Sequence, residues 1–468
     1  VTDNIIRMDA TRLADLIARK ELSPVEVVEA HLDRISEVNP KLNAIVTVAD
    51  GARTAARQAE AAIMSGEKVG PLHGVPFTVK DVIDTAGVLT QRASPIFRGR
   101  VPDKDAPAVA RMKAAGAILL AKTNAPEFAF SIETDNLLTG RTNNPWNLDY
   151  TPGGSSGGES AAIAANMSPI GIGSDVAIST RGPAAHTGIV GLKATHGRVP
   201  LTGHFPQVPR RFWHIGPMAR SVRDVALAYS LISGPDGADG FSTLSPGIDV
   251  GIGKAGRPLR VGWMTSDFFG PTDPDVVATV KAAAEALAVA GGVLVEEVKL
   301  PFLKDIDTVG VLWKLQQMET HPEFGRVTTG HEDQVFRHVQ LILDTPDTPI
   351  DEFVAAEQTI QFLRDRFAAY FQRYDVLLCP VTPFPATKHG LDDVTVDGQT
   401  ISAFQVMSAT SPFSLTGLPA MTLRFGTSRD GLPIGVQIAA SWYAESNMFD
   451  VASHLEAVSP VRNLHPEL

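Results

Sequence analysis

Short apolar runs alternate with helix-patterned stretches along most of this chain, and that alternation limits the folds open to it. "GVPFTVKD" (74–81) reads as a short strand, "AILLAK" (117–122) as a buried one and "SPIGIGSD" (168–175) as another. Helical patterns fall near 50–65, 105–115 and 158–166. Residues 11–39 read as two amphipathic helices, the second opened by Ser23-Pro24-Val25-Glu26, a capping serine, a first-turn proline and a glutamate three residues on. Strand and helix patterns recur after residue 259: "LRVGWM", a helix near 275–290, "GVLVEEV", long helical segments near 302–343 and 350–373, then "DVLLCPV" and "IGVQIAA". Such alternation predicts an α/β protein with a largely parallel sheet. Residues 235–259 form a loop-rich connector and a candidate subdomain boundary. The same strand grammar on both sides favours an excursion from one sheet.

Bulk properties remove several classes of function. The 468 residues are 44% hydrophobic and 20% charged, enough apolar content for a large core. A net charge of −11 without a long basic run argues against a nucleic-acid or anionic-membrane partner. No stretch approaches the roughly 18 apolar residues of a membrane span, and the first residues lack the pattern of a secretory signal, so a cytoplasmic location is expected. The single cysteine, Cys379, lies in an apolar run and reads as a buried inert thiol. It excludes an intrachain disulfide and a cysteine-based metal site. His196, His204 and His214 lack metal-ligand spacing, and no cofactor is expected.

Two stretches crowd small and hydroxyl residues where a core wants bulk: "GGSSGGES" (153–160) and "GIGSDVAISTRGPAA" (171–185). The first reads as a flexible turn into a helix, as the Gly154-x-Ser156-x-Gly158 elbow of an α/β hydrolase, or as glycines that let backbone approach a reacting group beside a serine. The second follows a strand and offers consecutive backbone N–H groups ending at Ser179, a loop able to form an oxyanion hole. Upstream, Thr78 and Lys80 share one face of an alternating strand and Asp81 takes the other, so Asp81 need not neutralise Lys80. A lysine flanked by apolar sequence and lacking a local anion is a candidate for desolvation, which makes its amine a usable base.

Lys80, Ser155 and Ser179 in that order, with "AKTNAPEFAF", "TNNPWNLDYTPGGSSGGESAA", "GSDVAISTRGPAA", "GPMARSVRDVA", "PFSLTGLPAMTL" and "DGLPIGVQI", resemble the amidase signature family, serine hydrolases of C–N bonds. The resemblance runs over most of the chain. It implies a single large α/β domain (1–468) with a central twisted, mixed and mostly parallel sheet flanked by helices. It implies Ser179 as nucleophile, Ser155 as a bridging serine after a cis peptide, and Lys80 as the ultimate base. The two serines stand 24 residues apart, as in the family. Asp175 and Arg181 match positions that brace the nucleophile loop. Ala129, Phe130 and Ser131 match substrate-lining positions.

The chain departs from the family where many members carry glycines before the nucleophile; here the residues are Val176, Ala177 and Ile178. Their amides are the expected oxyanion donors, and their side chains make a greasier wall. "TGHFPQVPRRFWHIGPMA" (202–219), with Phe212 and Trp213, reads as an entrance loop. An apolar site favours uncharged amides with an acyl or aryl group, and the resemblance to the family's bacterial aryl acylamidases and carbamate-cleaving members implies a broad amidase and esterase, with aryl amides and carbamates (urethanes) among the expected substrates. The chain would act as a monomer or homodimer. Two other readings are the glutaminase-type subunit of a tRNA-dependent amidotransferase, and a binding or scaffold protein that has lost catalysis.

Overall fold

Eleven strands share one sheet. In chain order they are β1 (Ile45–Val48), β2 (Pro76–Lys80), β3 (Ile118–Thr123), β4 (Ile170–Asp175), β5 (Val190–Lys193), β6 (His214–Ala219), β7 (Leu259–Trp263), β8 (Val293–Glu297) and β9 (Val376–Pro380). The hairpin β10 (Asp393–Val396) and β11 (Gln399–Ser402) stands apart, and β12 (Ala420–Thr427) and β13 (Pro433–Ala440) return to the sheet. The spatial order is β1-β3-β2-β4-β6-β5-β12-β13-β9-β7-β8. This computed structural model describes residues 2–242, 257–265 and 269–468.

The mixed sheet expected from the sequence is present, in a single α/β domain. Its parallel ladders gather in two wings, β3-β2-β4 and β9-β7-β8. Five antiparallel ladders lie between the wings and a sixth joins β1 to β3 at the edge, so that six of the ten ladders are antiparallel. Strands β2, β3, β4, β9 and β13 are buried at every position, as expected where helices cover both faces. The edge strands β1 and β8 are partly exposed. Strands from both sides of the connector hydrogen-bond into this sheet; residues 243–256 of that connector lie outside the described residues.

Local chemistry accounts for the elements. Ser23 and Glu26 close a capping box on the helix Pro24–Leu42. Cys379 is fully buried in β9, and burial pushes its thiol up to about 12. No helix among the described residues is long and apolar enough to cross a membrane.

The stretch 202–219 corrects the expectation of an entrance loop. His214–Ala219 is β6, paired with β4 on one side and β5 on the other. Phe212 and Trp213 are buried, and Trp213 lies against His204 at 4.7 Å between ring centroids. Gly216 and Pro217 hide this strand from a pattern reading, since both are disfavoured inside central strands. Gly216 is needed because a Cβ there would stand 2.0 Å from the Leu192 carbonyl oxygen of β5.

Candidate active site

The site gathers where β2 and β4 end side by side. Lys80, the last residue of β2, is fully buried, with Nζ 2.6 Å from Ser155 Oγ and 3.1 Å from Ser174 Oγ. Burial pulls its ammonium down to about 7, against the opposing pull of Asp175 and Glu159. Asp81 points to the other side of the strand, as the alternation requires; its carboxylate accepts from the amides of Gln91 and Ala93. Glu159 is a buried acid that the local pattern does not mark. It accepts from the hydroxyls of Thr78 and Thr123, and burial pushes it up to about 7. Its place in the first turn of the helix Gly157–Ala164 suggests a solvated position, and only the sheet stacked on that turn changes this.

Ser155 follows a cis peptide bond after Gly154. Glycine is required at 154 because a Cβ there would stand 2.6 Å from the Glu133 amide nitrogen and 2.7 Å from the Ser131 carbonyl oxygen. The glycines of this stretch therefore serve close backbone approach. Ser156 is excluded as an elbow nucleophile: its hydroxyl donates to the Ser174 carbonyl and accepts from the Ser174 amide. The Ser156 amide donates to the Ser179 carbonyl at 3.2 Å, tying the two serine loops together. Lys80 and Ser155 are thus in direct contact. Ser179 Oγ makes no hydrogen bond to Ser155, or to any other described residue, and instead faces a cavity.

The loop between β4 and the helix Arg181–Thr187 is held by Asp175. Its carboxylate accepts from the Thr180 amide and hydroxyl and, at two oxygens, from the Arg181 guanidinium. Burial alone would push Asp175 up, but the Arg181 charge carries it down to about 2. Arg181 Nη2 also donates to the Ala177 carbonyl at 2.9 Å, and Ser414 Oγ donates to the same oxygen at 3.1 Å. The Gly182 amide holds the Ile178 carbonyl at 2.7 Å. In a trans peptide the C=O and the following N–H point oppositely, so these bonds also aim the amides of Ile178 and Ser179. None of the amides of Val176, Ala177, Ile178 and Ser179 donates to a described protein acceptor. None of the three non-glycine residues before Ser179 has a positive φ, so this loop reaches its shape with ordinary backbone angles.

Ser179 lies in a cavity of about 40 Å³. One wall is Ala129, Phe130, Ser131 and Ile132; Val176, Ala177 and Ile178 form another. The third, Trp313, Gln316, Phe404 and Met407, was not legible in the sequence, because it comes from a helix and a turn more than 130 residues downstream. Trp313 sits between the rings of Phe130 and Phe404, at 6.1 and 6.2 Å. No lining residue carries a charge. Phe128, by contrast, is core: it packs edge-on against Phe97 and Phe205. His204 and His214 make ordinary contacts to the Pro206 and Phe212 carbonyls.

A family model described as "Amidase" matches residues 26–449. The A-type component of the glutamyl-tRNA(Gln) amidotransferase of Acidothermus cellulolyticus is 36% identical, the alignment covering 97% of this chain and 95% of that protein. The solved structure of a 6-aminohexanoate cyclic dimer hydrolase superposes with a TM-score of 0.88 at 31% identity, covering 99% of each chain. A bacterial aryl acylamidase gives 0.87 at 27% identity, covering 97% of this chain and 96% of its own.

Proposed function

Since this chain belongs to the amidase family, an amide-hydrolysing one, we propose that it cleaves uncharged amides, aryl amides and carbamates among them, through a covalent acyl-Ser179. The observation that carries this reading is the buried amine of Lys80, 2.6 Å from the hydroxyl of Ser155, whose loop is tied to that of a cavity-facing Ser179. Neutral Lys80 accepts a proton from Ser155 as Ser155 takes one from Ser179, and the freed oxygen attacks the carbonyl carbon. Rotation of the Ser179 side chain toward Ser155 completes the relay, a tightening that substrate binding commonly brings. The unspent amides of residues 176–179 receive the oxyanion. The relay then runs backwards, the leaving nitrogen takes the proton, and the C–N bond breaks. Water attacks the acyl ester by the same path and releases the acid. The chain would act as a monomer or homodimer.

A lining that is aromatic and aliphatic apart from Ser131, Ser179 and Gln316, and carries no charge, suits an acyl or aryl group and offers the ammonium and carboxylate of free glutamine no ion partner, at a cost of several kcal/mol. The sequence likeness to an amidotransferase component is the observation for a glutaminase, and a hydrolysis panel decides between the two. On anilides, aryl carbamates, p-nitrophenyl esters and glutamine, kcat/KM for the best anilide or carbamate is expected to exceed that for glutamine at least about 100-fold. Glutamine turnover that matches the anilides, or needs added partner subunits, would overturn the assignment.

Ser414 supplies a test of the oxyanion loop. Ser414→Ala removes one of two donors to the Ala177 carbonyl, a bond worth about 1 kcal/mol, and an acceptor of Arg181 Nη2, so kcat should fall at least about fivefold with KM nearly unchanged. An equal change in KM would place Ser414 in substrate binding instead.

A further inference from the structure

At the far end of β6 from Asp175, a cleft of about 380 Å³ opens beside the residues that follow the strand. His214 of β6 pairs with Asp175, and Ala219 at its other end pairs with Ile170, so the length of the strand separates this cleft from the nucleophile loop. Arg7, Arg12, Arg220, Arg223, Arg424 and Arg462 line it, in a protein whose net charge is −11. Arg12 is paired with Asp15 at 2.9 Å, outside the lining, and two lining carboxylates face the other five guanidinium groups. Asp9 lies 3.7 Å from Arg223, and Glu456 already accepts from the Val222 amide at 2.7 Å.

The deeper arginines hydrogen-bond neutral acceptors; Asp9 and Asp224 act on Arg220 through space, while burial alone shifts Arg424. Arg424 is buried, stacks over the Trp146 ring at 4.2 Å and donates to the Leu464 carbonyl and the Thr427 hydroxyl. Arg220 donates to the carbonyls of Met8 and Ser168, and its Nε is buried with no hydrogen-bond partner. His465, on the same wall, is held below the usual imidazole range by burial and then by the charges of Arg220, Arg7 and Arg424, with Asp9 pulling the other way, so it adds no anion to the cleft. A buried guanidinium without a carboxylate is costly unless something anionic comes to meet it.

We propose that this cleft binds a small multivalent anion, one with two or more adjacent phosphoryl or carboxyl groups. Planar guanidinium forks suit such groups, and the volume matches a compact metabolite rather than a polymer. The test is calorimetry and thermal melting of the full chain with sodium pyrophosphate and, separately, citrate, at fixed ionic strength. Saturable 1:1 binding is expected for at least one anion, raising Tm by about 2–5 °C at hundredfold excess over Kd. Pyrophosphate alone would assign a phosphoryl ligand, and citrate alone a polycarboxylate. The double variant Arg223→Ala/Arg462→Ala, which removes two exposed side chains, should bind at least tenfold more weakly while still hydrolysing amide substrate. No saturable binding by either anion, or binding undiminished in the double variant, would overturn the proposal.

Discussion

Ser179→Ala is expected to lower amide hydrolysis by at least about 10⁴-fold, with Tm within about 2 °C of the unaltered protein. The two halves of this expectation have separate causes. The hydroxyl of Ser179 bonds to no described residue, so its loss removes no structural contact. The loop that carries it is fixed by Asp175, Arg181 and the Gly182 amide, none of which touches that oxygen. The catalytic half follows because no neighbouring hydroxyl can replace it: Ser155 Oγ is engaged with Lys80, and Ser156 Oγ with the backbone of Ser174. Labelling with an organophosphonate checks the same point without turnover. One adduct should form on the peptide containing Ser179 and vanish in Ser179→Ala. An adduct on Ser155, or hydrolysis within tenfold of the unaltered protein, would remove Ser179 from the role of nucleophile.

How far such a site can be read from the chain depends on the range of the forces that build it. The face of Lys80 follows from the two-residue period of a strand, and the glycines around Ser155 announce close backbone approach, so these local features were legible. The partners of Lys80 are another matter. Ser174 reaches it because β2 and β4 lie side by side, with Thr78 opposite Gly171, and nothing in either segment alone records that pairing. Glu159 is buried because helix Gly157–Ala164 packs on the sheet; beside Gly171 there is room for its carboxylate, where a Cβ would stand 1.8 Å away. The third wall of the cavity has the same origin, since Trp313 and Phe404 carry no local mark that separates a lining aromatic from a core one. Strands β5, β6 and β12 escaped for a different reason. They belong to the antiparallel middle of the sheet, of which only β13 was read, and β6 carries Gly216 and Pro217, which local propensity counts against a strand. The wings obey the strand–helix grammar and were therefore visible.

Lys80→Met should cost activity on the same scale as loss of the nucleophile, at least about 10⁴-fold in kcat/KM, and the pH dependence of the unaltered protein says why. An ordinary lysine at pH 8 is neutral in less than about 1% of molecules. With its ammonium drawn down to about 7, Lys80 is neutral in about nine-tenths of them, and the neutral amine is the form that accepts the Ser155 proton. The expected profile of kcat/KM therefore rises about tenfold per pH unit on the acid side, bends near pH 7 and stays level through pH 9. Stability carries the same sign. Between about pH 7 and the usual lysine range, the unfolded chain holds a proton at this position that the folded chain does not, so stability climbs with pH across that window. Lys122 and Lys193, also lowered by burial, contribute in the same direction, so Lys80→Met should reduce the rise in Tm between pH 7 and pH 9 without abolishing it. Methionine is close in volume and brings no charge into a fully buried position, which keeps the folded state available for both measurements. A variant that retains more than about 1% of activity, or an acid limb that bends near pH 10, would show that the relay does not end at this amine.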